Sequence, residues 1–222
     1  MIEIAIDGPA ASGKGALGKK LSDKYNFPYL DTGILYRKVA YELIKNNIKN
    51  SENLEILCCN FAKNLNLKEF KNKNLRTEDV AKLSSKIAIF PNLRKILNNK
   101  QKEFSNFNKK KFGGCILDGR DIGTTILPNA DFKFFITASI EVRAKRRLLQ
   151  KNISFLHEND EKCMLQTLIN DMKERDKLDS NRKTSPLVPA KDAHVIDTTI
   201  INSQELLLIV TNIIEGKNEL LK

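Results

Sequence analysis

Residues 8–15, GPAASGKG, combine glycines and a lysine at a spacing that suits the binding of a phosphate tail. Gly8, Gly13 and Lys14 fit the pattern G-x-x-x-x-G-K, between an apolar run typical of a strand and a helical run. Small residues let backbone N–H groups point into one concavity, the helix N-terminus adds positive potential, and the lysine can reach the β- and γ-phosphates. We therefore predict that this loop, called the P-loop below, binds a nucleoside triphosphate. Its residues are Gly8, Pro9, Ala10, Ala11, Ser12, Gly13, Lys14, Gly15 and Ala16.

The position after the lysine holds Gly15, where a Ser or Thr is usual. That hydroxyl typically binds Mg²⁺ in P-loop proteins. We therefore expect the ion to be held by nucleotide oxygens, by water and by a remote carboxylate. A loop without the hydroxyl favours a kinase that acts on a small molecule.

Two carboxylates and an arginine follow an apolar run in CILDGRDIGT, residues 115–124. Open parallel sheets bind ligands at the C-terminal ends of their strands. Asp118 is a candidate carboxylate near the metal through water, and Arg120 is a candidate for bidentate phosphate binding. Asp121 is a candidate acceptor for a base amino group, or a partner for an arginine. The alternative is a salt-bridged turn without a function.

A second polar set surrounds the predicted start of a helix in YLDTGILYR, residues 29–37. Thr32 and Tyr36 are four residues apart and therefore lie on one helical face, with Arg37 beside them. A single arginine on a helix is usually solvated, so Arg37 becomes a candidate only together with Asp118 and Arg120.

Arginines recur at helical spacing in two later segments. They are Arg143, Arg146 and Arg147 in EVRAKRR, and Arg175 and Arg182, with Asp179 between them, in KERDKLDSNR. Phosphoryl transfer requires mainly that two charged reactants are positioned and that charge on the equatorial oxygens is neutralised, which several arginines with Mg²⁺ can do. The alternative for these arginines is an exposed face that binds nucleic acid.

Short β-type runs alternate with helical patterns along the chain. The predicted strands are Ile2 to Ile6, Cys115 to Leu117, Phe132 to Thr137, and Val195 to Ile196. Pro91 suits the first turn of a helix. The alternation predicts an α/β fold with three layers, in which helices cover both faces of a central parallel sheet. The polar stretches near residues 45–75 and 150–162 interrupt the alternation and are predicted to be insertions.

The composition narrows the class of protein. The 222 residues, 41% of them hydrophobic, suffice for one domain with inserted subdomains. No run of about eighteen apolar residues occurs and the first strand begins at Ile2. We therefore expect neither a membrane span nor a signal peptide, and we expect a cytoplasmic location.

The cysteines show no C-x-x-C pair and are expected to be reduced core thiols. They are Cys58, Cys59, Cys115 and Cys163.

The formal net charge of +11 suits either nucleic acid or small polyanions such as nucleotides. The lysines are scattered among asparagines, as in KNNIKNSEN, and aromatic residues are not interleaved as a base-stacking surface requires. We therefore interpret the charge as a general bias in amino-acid usage.

Seven segments together resemble bacterial cytidylate kinases. They are IDGPAASGKG, YLDTGILYR, LRTEDV, DGRDIGT, ERDKLDSNR, PLVPAKDA and VIDTT, and they span nearly the whole chain. The resemblance implies transfer of the γ-phosphate of ATP to CMP or dCMP, with Mg²⁺ bound alongside ATP, in a P-loop NTPase-type fold. It also implies a cytoplasmic monomer whose partners are nucleotides, without a nucleic-acid or membrane partner.

The resemblance implies a role for each matching residue. Arg37 and Arg120 would hold the CMP phosphate, and Arg175 and Asp179 would lie by the ribose. The residues implied around the cytosine are Thr32, Ser85, Arg94, Asp121 and Arg182, and Tyr36 completes the predicted CMP-binding set. The residues predicted to act in catalysis are Lys14, Asp118, Arg120, Arg143, Arg146, Arg147 and Arg175.

The resemblance also divides the chain into a core, a nucleotide-binding insertion and a lid. The predicted core is residues 1–35, 80–145 and 175–222, the insertion is residues 36–90, and the lid is residues 146–170. Between Leu67 and Arg76 the insertion is much shorter than in bacterial members of the family. Ala16 replaces a common Thr and removes one hydroxyl contact to the donor phosphates. Leu178 and Ser180 stand where relatives often have arginines, which predicts a less positive acceptor pocket.

A non-catalytic P-loop protein that binds RNA through its basic surface is the alternative from another class. Such a protein has no need for carboxylates paired with arginines. Asp118, Asp121 and Asp179 therefore favour the enzyme.

Overall fold

The computed structural model describes residues 1–48, 52–66, 72–150, 157–182 and 184–216. Within these residues the strands are β1 Ile2–Asp7, β2 Tyr29–Asp31, β3 Gly114–Gly119, β4 Phe132–Thr137 and β5 His194–Asp197. They form one parallel sheet in the order β2-β3-β1-β4-β5. The predicted parallel sheet is confirmed, and four strands lie where the sequence predicts them. β2 is not among the predicted strands, because three residues are too few for an alternating pattern.

Helices cover both faces of the sheet, as predicted. They are α1 Lys14–Tyr25, α2 Gly33–Lys45, α3 Leu54–Lys63, α4 Glu78–Ile87, α5 Pro91–Phe112, α6 Ile140–Leu149, α7 Glu158–Ser180 and α8 Ser203–Ile214. Side chains alternate between the faces of a strand. In β3, Ile116 therefore packs with Leu17 of α1 and Leu206 of α8, whereas its neighbour Leu117 packs on the opposite face with Phe104 of α5.

Two helical units have hydrophobic cores of their own away from the sheet. The first joins α2, α3, α4 and the start of α5 around the fully buried Val39, Leu43, Cys58, Leu93 and Leu97. The second joins α6 and α7 around Ala144, Leu148, Leu168 and Met172. They overlap the predicted insertion and lid but extend beyond them, since Leu93 and Leu97 follow residue 90 and Ala144 and Met172 lie outside residues 146–170. The predicted boundaries stay predictions. Parts of those predicted regions, residues 49–51, 67–71 and 151–156, lie outside the described residues.

α5 connects the helical unit around α2, α3 and α4 to strand β3 of the sheet. Pro91 occupies its first turn, as predicted, where a missing N–H costs no hydrogen bond. Arg94 follows one turn later and is 2% exposed. The helix ends at Gly113, whose φ of 78° lies in the left-handed region that favours glycine, and β3 begins at the next residue. This arrangement places Arg94 and the end of β3 in one cleft.

The cysteines are only partly as expected. Cys58, Cys59 and Cys115 are buried thiols, but Cys163 is exposed on α7, so the core assignment is wrong for that residue. Among the described residues, no helix combines the length and the apolar character that a membrane span requires.

Candidate active site

A cleft of about 1390 Å³ opens at the carboxyl ends of the strands. Its walls come from the P-loop, from the ends of β2 and β3, and from α4, α7 and the start of α8. All but three of the predicted site residues line this cleft. The exceptions are Gly8, Pro9 and Arg143.

The P-loop needs glycine at two of its positions. Gly8 has a φ of 149°, and a Cβ there would lie 2.0 Å from the carbonyl oxygen of Ile136 in β4. Gly13 and Ala11 have φ values of 102° and 58°, so the chain turns sharply before α1 begins at Lys14. Within the described residues, no side chain caps the first turn of α1 and that turn contains no acidic residue. The positive end of the helix is therefore left for an anion.

Lys14 lies in a positively charged cradle. Its Nζ donates to the carbonyl oxygen of Pro9 at 3.4 Å. Burial lowers the pKa of Lys14, and the positive charge of Arg120 lowers it further, although Asp118 and Asp31 oppose both effects. An anionic phosphate beside Lys14 would stabilise its charged form.

Arginines and aspartates form a network on the facing wall, which we call the acceptor wall. Arg120 Nε donates to Asp179 Oδ2 at 2.8 Å, and Arg182 Nη2 lies 3.7 Å from Asp179 Oδ1. Arg94 Nη2 donates to Asp121 Oδ2 at 2.5 Å, with both side chains nearly buried. Charge-assisted contacts of this kind fix side-chain orientation.

Two further arginines of the acceptor wall have no carboxylate hydrogen bond among the described residues. Arg37 Nη1 donates to the carbonyl oxygen of Leu75 at 3.2 Å, and burial lowers its pKa. Arg175 Nε is buried and has no hydrogen-bond partner in the described part of the chain. Burial lowers the pKa of Arg175 to about 10, and the charge of Arg120 adds to that effect. Arg94, Arg120 and Arg182 pair with Asp121 and Asp179, whereas Arg37 and Arg175 do not, which leaves positive charge for an anionic ligand.

Unpartnered polar atoms gather around Asp121. Tyr36 Oη, Arg94 Nε and Arg182 Nη2 are buried without a hydrogen-bond partner among the described residues. Thr32 Oγ1 donates to the carbonyl oxygen of Asp118 at 2.8 Å, so it keeps only acceptor capacity. Because buried polar groups are nearly always hydrogen-bonded, these atoms indicate a site for a polar ligand.

Two further residues named in the sequence analysis, Ser85 and Leu178, line the cleft but are not part of the arginine–aspartate network. Ser85 lines the cleft, and its hydroxyl donates to the carbonyl oxygen of Ala81 at 3.3 Å. Leu178, at a position that often holds arginine, also lines the cleft and is 47% exposed.

The three predicted lid arginines have different environments. Arg143 is 6% exposed and pairs with Asp176 at 2.7 Å. Its Nε donates to the carbonyl oxygen of Ala138, and Nη1 reaches that of Ala10 at 3.5 Å, so this side chain braces the P-loop from outside the cleft. The difference arises because Arg143 lies on the face of α6 that packs against the rest of the protein.

Arg146 and Arg147 reach the cleft at separate points. Arg146 Nη1 and Nη2 donate to Thr198 Oγ1 and its carbonyl oxygen at 2.8 and 2.6 Å. Thr198 Oγ1 in turn donates to the carbonyl oxygen of Ser12 at 2.9 Å, so Arg146 is tied to the P-loop. Arg147 Nη2 donates to Glu78 Oε1 at 2.9 Å, which joins α6 to the first turn of α4 across the cleft.

Sequence reasoning misses two residues that organise the end of β3. Asp7 accepts hydrogen bonds from the N–H groups of Ile122 and Gly123 at 2.8 and 2.7 Å and thereby fixes the turn that carries Asp121. Tyr29 Oη donates to Asp118 Oδ2 at 3.0 Å. Both residues lie in segments that carry the family resemblance, but their partners are 89 to 116 residues away in the chain.

The chain matches the family model described as cytidylate kinase over residues 4–216. It is 39% identical to the cytidylate kinase of Bartonella tribocorum over 212 residues, which cover 96% of this chain and 94% of that protein. It is 40% identical to the cytidylate kinase of Methylocella silvestris, with 99% and 96% covered. A crystal structure of an uncharacterized protein from Eubacterium ventriosum has the same fold, with a TM-score of 0.52, 17% identity, and 97% and 99% covered.

Proposed function

The chain belongs to the cytidylate kinase family, and we propose that its cleft transfers the γ-phosphate of ATP to CMP or dCMP, giving CDP or dCDP. One observation carries the proposal. A P-loop with an uncapped helix N-terminus faces a wall of guanidinium groups inside a single cleft. Two anions can therefore be held opposite each other, which is the main requirement of phosphoryl transfer.

The donor side is built for a triphosphate. The backbone of the P-loop and the positive end of α1 surround the β- and γ-phosphates, and Lys14 supplies a mobile charge. Arg146, through Thr198 and the carbonyl of Ser12, holds the loop from the side of α6. This support relies little on P-loop side chains, which accords with Ala16 in place of a hydroxyl.

The acceptor wall is built for a nucleoside monophosphate. Arg37 and Arg120 are assigned to its phosphate, since a guanidinium fork matches phosphate oxygens. Asp179, already oriented by Arg120 and Arg182, accepts from a ribose hydroxyl. Arg175 supplies charge between the two phosphates.

The acceptors near Asp121 suit the exocyclic amine of cytosine, and the unpartnered donors of Tyr36, Arg94 and Arg182 suit its ring carbonyl. The hydroxyl hydrogen of Thr32 is donated to the Asp118 carbonyl oxygen, and the carboxylate of Asp121 offers acceptors. The exocyclic amine of cytosine donates to such groups. The carbonyl at the same position of uracil would meet acceptors and leave them unpaired, at a cost of about 1–3 kcal/mol.

The transfer itself requires no covalent protein intermediate. An oxygen of the CMP phosphate attacks the γ-phosphorus, and its new P–O bond forms as the bond to the β–γ bridging oxygen breaks and ADP leaves. A phosphate monoester loses its second proton at a pKa of about 6, so the attacking oxygen is already ionised at neutral pH. Lys14 and the arginines stabilise the charge on the equatorial oxygens.

The residues present fit a magnesium ion bound with ATP. Asp118 Oδ1 is buried without a hydrogen-bond partner among the described residues, and a carboxylate oxygen is a hard ligand of the kind Mg²⁺ prefers. Asp118 would hold the ion directly or through a bound water. The ion, when bound, neutralises charge on the donor phosphates. Gly15 contributes no hydroxyl to it.

A coupled assay of ADP release across several acceptors tests the proposal. We expect turnover with CMP and dCMP, less with UMP, and far less with AMP, GMP or dTMP. A clear preference for AMP or for a non-nucleotide alcohol would refute the specificity. Salt-dependent RNA binding without acceptor-dependent turnover would instead support the RNA-binding alternative. The cytoplasmic location, the monomeric state and the absence of nucleic-acid and membrane partners stay predictions.

A further inference from the structure

The space beside Gly15 is occupied by two oxygen atoms from other parts of the chain. A Cβ added at Gly15 would lie 3.4 Å from Asp118 Oδ2 and 3.6 Å from the Tyr29 hydroxyl oxygen. Both distances are ordinary contacts. A side-chain hydroxyl at position 15 would therefore meet the same carboxylate that Tyr29 already contacts.

Tyr29 reaches this point because α1 lacks a side chain where the ring lies. A Cβ at Gly18 would be only 2.4 Å from Tyr29 Cε2, so no larger residue fits at position 18 without moving the ring. The ring is held between α1 and β2, and its hydroxyl donates to Asp118 Oδ2 at 3.0 Å. Gly18 and Tyr29 thus form a matched pair that directs one phenol at one carboxylate.

Because of this hydrogen bond, the two carboxylate oxygens of Asp118 are in different environments. Oδ2 accepts from Tyr29, whereas Oδ1 is buried without a partner among the described residues. The backbone is fixed as well, because the Asp118 carbonyl oxygen accepts from Thr32 N at 3.0 Å and from Thr32 Oγ1. The carboxylate therefore has one tethered oxygen and one free oxygen.

We propose that Tyr29 is a positioning residue that takes the place of the missing P-loop hydroxyl: it orients Asp118 so that Oδ1 serves the magnesium ion of MgATP. The inference rests on the proposed function for the presence of ATP and Mg²⁺. A hydroxyl at position 15 and the phenol of Tyr29 share one acceptor, so either one can hold it. This explains how the P-loop keeps Gly15 without losing order at the metal side.

Calorimetric titration of the full chain with ATP, with and without Mg²⁺ and in the absence of CMP, tests this role. In Tyr29→Phe the affinity for MgATP should fall about tenfold, the effect of one hydrogen bond to a charged group. The affinity for ATP without Mg²⁺ should change by less than about twofold, since the phosphate cradle is intact. Adding Gly15→Ser to Tyr29→Phe should restore most of the lost MgATP affinity.

An equal loss with and without Mg²⁺, no loss, or no recovery with Gly15→Ser would overturn the proposal. Thermal unfolding of Tyr29→Phe shows whether the fold is kept. If the fold is lost, the single variant Gly15→Ser decides. With Tyr29 present we expect its MgATP affinity to rise by less than about twofold. A rise of about tenfold would refute the proposal that Tyr29 already takes the place of the hydroxyl. Because CMP is absent, failure of the acceptor assay and failure of this inference are separate results.

Discussion

The donor side of the cleft is formed mainly by the backbone of one contiguous loop, whereas the acceptor wall is formed by side chains from α2, α5, α7 and the turn after β3. In the P-loop, replacement of hydroxyl residues by Gly15 and Ala16 leaves the backbone cradle in place. In the acceptor wall, Arg120 and Arg182 share Asp179, so removal of one member changes the others.

The difference concerns how each side responds to substitution. Backbone N–H groups bind phosphate whatever the side chain, provided that glycine remains where φ requires it. A network of buried charges loses its balance when one partner is removed, because the remaining charge is left desolvated. We therefore expect the donor side to depend on one side chain, Lys14, and the acceptor wall to depend on several.

The largest effect is expected for Lys14→Ala. Turnover should fall by roughly 10²–10³-fold, the typical loss when a preorganised group that stabilises transition-state charge is removed. The measurement is kcat at saturating ATP and CMP. Lys20→Ala is the control, since Lys20 Nζ donates to the carbonyl oxygen of Ser203 at 3.4 Å and Lys20 does not line the cleft. Near-normal turnover of Lys14→Ala would mean that the loop does not hold the reacting phosphate.

Asp7 joins the two sides, because it lies directly before the P-loop and binds the turn that carries Asp121. Burial raises the pKa of Asp7 to about 6 from an ordinary 3.8, against the opposing effect of the two N–H groups. The folded state therefore favours the protonated acid, and stability is lost as pH rises from about 4 to about 6. Relative to Asp7→Asn, the wild-type free energy of unfolding should fall by up to about 3 kcal/mol over that range. Urea unfolding of both proteins measures this free energy. A wild-type free energy of unfolding that rises with pH relative to that of Asp7→Asn would contradict the account.

Arg182→Ala probes the acceptor wall alone. The KM for CMP should rise roughly tenfold to thirtyfold, since a charged hydrogen-bonding group beside Asp179 is lost. The KM for ATP should change little. Lys173→Ala, an exposed change on α7, the helix that carries Asp179, is the control. An unchanged KM for CMP would remove Arg182 from the base pocket.

The smallest effect concerns the contact between Arg147 and Glu78. Both side chains are partly exposed, so loss of their ion pair should cost less than about 1 kcal/mol. If Arg147 acts on the transferring phosphate, Arg147→Ala should lower kcat much more than Glu78→Gln does. Equal losses would indicate that Arg147 acts only through the ion pair. Asp79→Asn, at the next and exposed position, serves as the control.

Contiguous patterns were the most predictable part of the molecule. The P-loop follows from a strand, a glycine loop and a helix in sequence order, and the sheet follows from the alternation of elements. Arg143, Arg146 and Arg147 look equivalent in sequence, because helical spacing does not reveal which face of α6 packs inward. The roles of Tyr29 and Asp7 could not be predicted from the sequence for a related reason. They depend on partners at distant positions, which only the packing of β1, β2 and β3 brings close.

The most direct test of two facing nucleotide sites is the binding of adenosine and cytidine joined by a pentaphosphate chain. A cleft that holds both nucleotides at once should bind one such molecule per chain, at least about a hundredfold more tightly than ATP or CMP alone, because the second half binds intramolecularly. The uridine counterpart should bind more weakly. Affinity no higher than that of ATP would contradict the account.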